Sequence, residues 1–250
     1  MHILLTNDDG VTAPGLLALK KSLEALGKVT VVAPSQNYSA GGHRKTMHKP
    51  LRIEETRLAD GSPAWACSGA PSDCVGLALL GFIKEKVDVV VSGINPNANL
   101  GQDVTYSGTV TAAIEAAIAG VIGIAVSTEN IRAPEEYEPV ARVAASIVEK
   151  IYQHGLPANT LINLNVPKNH KGIYIARQGV RVYLDELVER RDPRNKPYYW
   201  IGGEPPSGVD DEGSDYWAMK QGYVSVTPLQ LDMTAYNLVD ALEEWLISDT

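Results

Sequence analysis

Through the first 166 positions, short β-branched and aliphatic runs alternate with stretches of helical period, the pattern that βαβ units and a mostly parallel sheet produce. HILLT at 2–6, KVTVVAP at 28–34, VDVVVSG at 87–93, VIGIAVS at 121–127 and TLINLNV at 160–166 read as strands. They are apolar almost without alternation, so both faces of the sheet should lie under helices, and the expected fold class is a three-layer α/β arrangement. Helical patterns run from Pro14 to Leu26, Ser72 to Phe82, Thr109 to Ala119 and Glu135 to His154. Pro14 and Pro71 stand where the first turn of a helix accepts proline.

The rhythm breaks at 46–69, where LRIEE and PAWACSG flank the turn signal Asp60-Gly61-Ser62 and predict a β-hairpin inserted into the sheet or beside it. After Pro167 the composition shifts. From about 180 to 222 the chain is rich in Pro, Gly, Tyr, Trp and charge without a helical period, which predicts hairpin arms. Aromatic arms of this kind pack poorly on their own monomer and suit a contact between subunits. YVSVTPL then predicts a returning strand, and Thr234 to Ile247 an amphipathic closing helix. One domain is expected, with a core at 1–166, an extension at 167–233 and a terminal helix at 234–250.

Composition narrows the function. Hydrophobic residues make up 44% and charged residues 21%, and no apolar run approaches the ~20 residues a bilayer span needs, so no membrane association is expected. MHILLTNDDG has neither the basic flank nor the apolar segment of a signal peptide, which points to the cytoplasm. A formal charge of -8, from 22 basic and 30 acidic side chains, argues against a duplex nucleic acid partner. A small anion remains compatible, because one bound cation reverses the local sign. Cys67 and Cys74 are too few for a disulfide framework and read as buried thiols.

In open parallel sheets the ligand lies beyond the carboxyl ends of the strands. Three loops there are polar: Thr6 to Gly10, Pro34 to His43, and Ile94 to Gly101. Adjacent carboxylates at Asp8 and Asp9 repel one another, and a hard cation with oxygen ligands, Mg²⁺ or Mn²⁺, is the usual reason to keep such a pair. The plainer reading is a helix cap or an Asp-Gly turn at Gly10. Neutral oxygens on the neighbouring loops, at Ser39 and Asn95, favour the cation. The segment DVTYSGTVT at 103–111 opens a small-residue helix, so hydroxyls and free N–H groups around Ser107, Gly108 and Thr109 can seat a phosphate or simply cap the helix. Gly41-Gly42 can bring backbone amides to an anion or make a turn, and His43 can serve as an acid or stand in solvent.

NDDG at the first strand end, the AGGH loop, and SGIN followed by NLGQDVTYSGTVTAA together resemble the survival protein E (SurE) family of nucleotidases, and TPLQLDMT near the carboxyl end is similar as well. The resemblance implies a Rossmann-like fold, a swapped carboxy-terminal hairpin that builds homodimers or homotetramers, and hydrolysis of nucleoside 5′- and 3′-monophosphates, with short polyphosphate as a further substrate. It places one divalent ion per subunit on Asp8, Asp9, Ser39 and Asn95, and phosphate contacts on Ser107, Gly108 and Thr109, with Asn99 nearby in a catalytic role. Ser39, Gly42 and Asn95 complete the expected substrate side. Asn97 stands where the family commonly has Gly, Gln102 where it often has an acid, and Pro96 stiffens the loop after Asn95.

The expected reaction is attack of a metal-activated water on phosphorus, with the helix N-terminus stabilising phosphoryl oxygens. Rival readings are an aspartyl-phosphate route, a receiver-like Mg²⁺ switch, and a nucleotide-binding module without turnover. The aspartyl-phosphate enzymes space their two Asp by one residue, whereas here they are adjacent.

Overall fold

A computed structural model describes residues 1–247. The positions 248–250 that the sequence assigns to the terminal helix lie outside the described residues. In chain order the elements of the amino-terminal part are β1 (His2–Thr6), α1 (Pro14–Leu23), β2 (Lys28–Pro34), β3 (Ile53–Arg57), β4 (Pro63–Cys67), α2 (Pro71–Leu77), β5 (Val89–Asn95), α3 (Gly108–Ile118), β6 (Ile122–Thr128), α4 (Tyr137–His154) and β7 (Thr160–Val166). There follow β8 (Ile173–Ile175), β9 (Arg181–Arg191), β10 (Pro197–Gly208), α5 (Asp215–Lys220), β11 (Val224–Gln230) and α6 (Tyr236–Ile247).

Nine strands form one sheet in the order β3-β4-β2-β1-β5-β6-β7-β11-β8. Strands β4, β2, β1, β5, β6 and β7 run parallel, while β3 and β11 pair antiparallel with β4 and β7. The sheet therefore continues past residue 167 through β11 and β8. From β1 the chain winds first toward β2 and later returns to β5 on the other side, so a topological switch point lies between the carboxyl ends of β1 and β5.

Alternate residues of the central strands face two buried layers, as continuous apolar runs require. Ile3, Leu5 and Val91 pack with Leu16 and Leu19 of α1 and Val140 of α4. Leu4, Val32 and Val90 pack on the opposite face with Cys74 and Val75 of α2 and Ala112 and Ala116 of α3. The small residues of α3 allow close seating: a Cβ at Gly123 of β6 would stand 2.2 Å from the Ala113 carbonyl oxygen. That contact fixes where the N-terminus of α3 arrives above the sheet.

Several element boundaries depart from the sequence reading. The first helix stops at Leu23 rather than Leu26, because Leu26 turns back to the Leu23 carbonyl and Gly27 lies against Met1. The pattern at Ser72–Phe82 divides into α2 and a wider turn at Ala78–Phe82 that contains Gly81 at φ 115°. The hairpin at 46–69 is β3–β4 at the sheet edge, and β9–β10 is a separate antiparallel pair. The stretch at 180–222 is not hairpin alone: it ends in α5, whose start is capped by Ser214 Oγ accepting from Trp217 N at 3.1 Å. Six residues are too short to show a helical period, and the three of β8 too short to read as a strand. Cys67 and Cys74 are buried free thiols, and no described helix is long and apolar enough to cross a membrane.

Candidate active site

The turn after β1 is built by Asn7. Its buried carboxamide donates to the Gly10 carbonyl at 2.9 Å and accepts from Gly10 N at 3.2 Å, while Gly10 adopts φ 104°. This closed turn presents Asp8 and Asp9 at the switch point. The loop after β2 docks on it, with Tyr38 N donating to the Asp8 carbonyl at 2.7 Å, which brings Ser39 alongside. Thr6 of β1 pairs with Ser92 of β5, so the turn carrying Asp8 and Asp9 and the loop opened by Asn95 leave neighbouring strands at the same edge of the sheet.

Asp8 is buried, and its Oδ1 accepts the Thr109 hydroxyl hydrogen at 2.5 Å. The backbone amides of Gly108 and Thr109, at the N-terminus of α3, face the same carboxylate. Burial pushes the Asp8 carboxyl above its ordinary range, and these hydrogen bonds oppose that shift without cancelling it. Asp9 is half-buried and accepts less help: burial first, and then the charge of Asp8, push it up to about 6. Two carboxylates raised in this way are an electrostatic liability that a bound cation relieves.

The remaining expected residues divide into two groups. Ser107 is buried, and its Oγ accepts from Val110 N at 3.1 Å, so it caps α3 and still has a hydroxyl hydrogen to donate. Asn95 is half-buried and donates to the Asn97 carbonyl at 2.5 Å, a contact that shapes the loop stiffened by Pro96. Ser39 is exposed on its loop, where its N–H donates to Asn37 Oδ1 at 2.7 Å. Asn99 is buried beneath the same loop as Asn95. Gly42 serves packing instead: its N–H donates to the Tyr106 carbonyl at 2.9 Å, and its carbonyl accepts from the Thr111 hydroxyl at 3.2 Å. His43 Nε2 lies 3.1 Å from Glu115 Oε2, six residues and roughly 9 Å of helix rise beyond Thr109. Lys45 Nζ joins the same buried carboxylate at 2.7 Å.

Sequence reasoning missed the supports of this site. Asn7 closes the turn, and Ser127, Asn163 and Asn165, all fully buried, hold the Asn99 loop from below. A signal was present in TLINLNV, where two asparagines recur at alternate positions of a strand that is otherwise apolar. Burying a carboxamide without partners costs roughly 2–7 kcal/mol, so such a pair implies a specific polar contact.

The model of the family described as survival protein SurE matches residues 3–185. The chain belongs to the SurE family. A SurE relative from Herpetosiphon aurantiacus, named 5′-nucleotidase SurE, is 51% identical over 247 residues, covering 97% of this chain and 97% of its own length. Another of that name from Chloroflexus aggregans is 48% identical over 98% of this chain and 99% of its own. The crystal structure of the SurE protein from Aquifex aeolicus matches with a TM-score of 0.81 at 40% identity, covering 98% of this chain and 99% of that one. The SurE fold thus extends over nearly the whole chain, including the parts beyond β7.

Proposed function

We propose that this chain is a 5′-nucleotidase that hydrolyses nucleoside monophosphates to nucleoside and inorganic phosphate, with Mg²⁺ or Mn²⁺ held by Asp8, Asp9, Ser39 and Asn95. One observation carries the reading: the buried Asp8 carboxylate meets the N-terminus of α3, with half-buried Asp9 beside it, at the switch point of a parallel sheet. The nucleotidase names of relatives at 51% and 48% identity supply the reaction class. A receiver-like switch or a binding module without turnover finds no comparable support.

The donor set suits a hard cation. Every proposed ligand atom is oxygen, two of them on carboxylates, and among the described residues no group of three or more His, Cys, Asp or Glu gathers to favour a softer metal. A cation bound here would supply Lewis-acid polarisation of the phosphoryl group. Asp8 is oriented by Thr109 and by the amides of α3, so it enters the reaction already fixed. Asp9, half-buried and less encumbered, is the carboxylate that orients the attacking water. The Ser107 hydroxyl and Asn99 donate to phosphoryl oxygens as charge develops on them. None of these residues is cationic, in keeping with the net charge of -8. A groove of about 430 Å³ bordered by Asn97, Leu100, Glu129 and Arg181 leaves room for a nucleoside beside the loop.

Two further readings complete the proposal. The β9–β10 arm exposes Leu187, Trp200 and Ile201, and α6 exposes Trp245 and Leu246, so these surfaces join subunits into a dimer or tetramer. Buried reduced thiols at Cys67 and Cys74 accord with a cytoplasmic location. The test is release of inorganic phosphate from 5′- and 3′-nucleoside monophosphates and tripolyphosphate, with Mg²⁺, Mn²⁺ or chelator. Cation-dependent release from 5′-monophosphates is expected. A folded protein with no release from any of them would refute the reading.

A further inference from the structure

We propose that Ser127, Asn163 and Asn165 are positioning residues for this reaction, setting the loop that carries Asn95 and Asn99 at its working height above the sheet. The inference rests on the reading of that loop as part of the site.

In β7, Leu161 faces the layer under α3, while Ile162, Leu164 and Val166 face the layer under α1 and α4. Asn163 and Asn165 alternate with the latter set and so share the face of Leu161, fully buried. An aliphatic residue at either position would pack the sheet without a polar group to satisfy. The hydrogen bonds of both carboxamides go to one residue of the loop above, while Asn163 Oδ1 has no partner. Asn165 accepts the Asn99 N–H on Oδ1 at 2.8 Å and donates Nδ2–H to the Asn99 carbonyl at 3.0 Å. That pair of bonds is what a neighbouring strand would make with the same backbone. Asn163 Nδ2 adds a second donor to that carbonyl at 2.8 Å.

Ser127 holds the side chain. Its Oγ accepts from Asn99 Nδ2 at 2.8 Å, leaving the second Nδ2 hydrogen and Oδ1 of the Asn99 side chain to meet a substrate. Asn95, Ser127 and Asn165 form one register row across β5, β6 and β7. The ends of β6 and β7 therefore fix one loop through four hydrogen bonds on a single residue. Their consequence is geometric: releasing the clamp lets Asn99 and Asn95 rise or tilt relative to Asp8 and Asp9, and a shift of about 1 Å at such a position costs on the order of 100-fold in turnover.

Steady-state kinetics of the full chain with Mn²⁺ and a nucleoside 5′-monophosphate test this, using Asn165→Ala, Asn163→Ala, Ser127→Ala, Asn99→Ala and the double variant Asn99→Ala/Ser127→Ala. Asn165→Ala should lower kcat by about 10- to 100-fold with KM within about threefold and an unchanged circular dichroism spectrum. In the Asn99→Ala background Ser127→Ala should cost less than about threefold further, because the Ser127 hydroxyl acts through the Asn99 carboxamide. A folded Asn165→Ala with wild-type kcat, or a Ser127→Ala whose full loss persists in the Asn99→Ala background, would overturn the proposal while leaving the site reading intact. Wild-type kcat in Asn99→Ala would instead remove the catalytic reading of the loop and the proposal with it. Should Asn165→Ala not fold, Ser127→Ala decides: loss of that one hydroxyl should lower kcat by about 10-fold, and an unchanged kcat would refute the clamp.

Discussion

Thr109 donates its hydroxyl hydrogen to Asp8 Oδ1 at 2.5 Å, joining the first turn of α3 to the end of β1. The bond links a helix N-terminus, suited to stabilising negative charge, with the carboxylate proposed to hold a cation. Sequence patterning anticipated each partner separately. Their direct contact means that orientation of Asp8 and placement of the proposed phosphate seat are a single structural problem.

Thr109→Val keeps the shape and removes the donor. Loss of a hydrogen bond to a buried charged group is worth about 1.5–3 kcal/mol, so kcat/KM should fall about 10- to 100-fold, and Thr109→Ser should recover most of it. Phosphate release by the three proteins at matched folded fraction checks this.

Asp9 makes the stability of the metal-free protein depend on pH. Its carboxyl is raised from 3.8 to about 6, so the folded state binds the proton more tightly than the unfolded state does. Its contribution is fully present below the unfolded value and is lost as pH rises through the folded one. Asp9→Asn mimics the neutral form. In chelator the variant should therefore melt higher than wild type at pH 7.5, with the difference closing toward pH 3.5, whereas added Mn²⁺ should raise the wild-type Tm alone. Thermal unfolding across this range supplies the check.

Gly108 is needed for approach rather than for an unusual dihedral. A Cβ there would stand 2.7 Å from Asp8 Cβ and 3.0 Å from its Oδ2, both inside contact distance. The roughly 0.5–1 kcal/mol by which alanine is the better former of a helix interior does not offset such a clash, so Gly108→Ala must displace the Asp8 carboxylate. The expected result is a folded protein with kcat lowered by about 10-fold or more, seen by comparing circular dichroism with turnover.

Much of the central sheet was legible because β1, β2, β5, β6 and β7 are buried on both faces and write this as unbroken aliphatic runs. Asp8, Asp9 and Asn95 stood out for the complementary reason, as polar groups closely following such runs, and Ser107 as a hydroxyl at the start of a small-residue helix. What escaped depends on tertiary contacts with no local period. The α5 helix is held by Asp215, whose carboxylate accepts from Gly101 N at 2.8 Å and Gly179 N at 2.9 Å, far apart in sequence. His43 could be read as an acid only because nothing in the sequence joins it to Glu115, two turns down a helix whose placement the sheet decides. The asparagines of β7 carried a signal, but their target, the backbone of Asn99, becomes visible only once the loop is folded over them.

The exposed apolar arm yields a prediction independent of the chemistry. Ile201 is 83% exposed and Trp200 62% exposed, so Trp200→Asp combined with Ile201→Asp should place two charges in a subunit contact and leave a smaller species. Light scattering behind size exclusion reads this directly. An unchanged mass would show that the arm joins no subunits.

The most direct test of the central claim is the dependence of AMP hydrolysis on Mn²⁺ concentration for wild type and Asp9→Asn. Saturable activation in the wild type, and loss of at least about 100-fold in the variant at every Mn²⁺ concentration, are the results that a cation held by the Asp8-Asp9 pair predicts. An Asp9→Asn protein that turns over at the wild-type rate with the same Mn²⁺ dependence would contradict it.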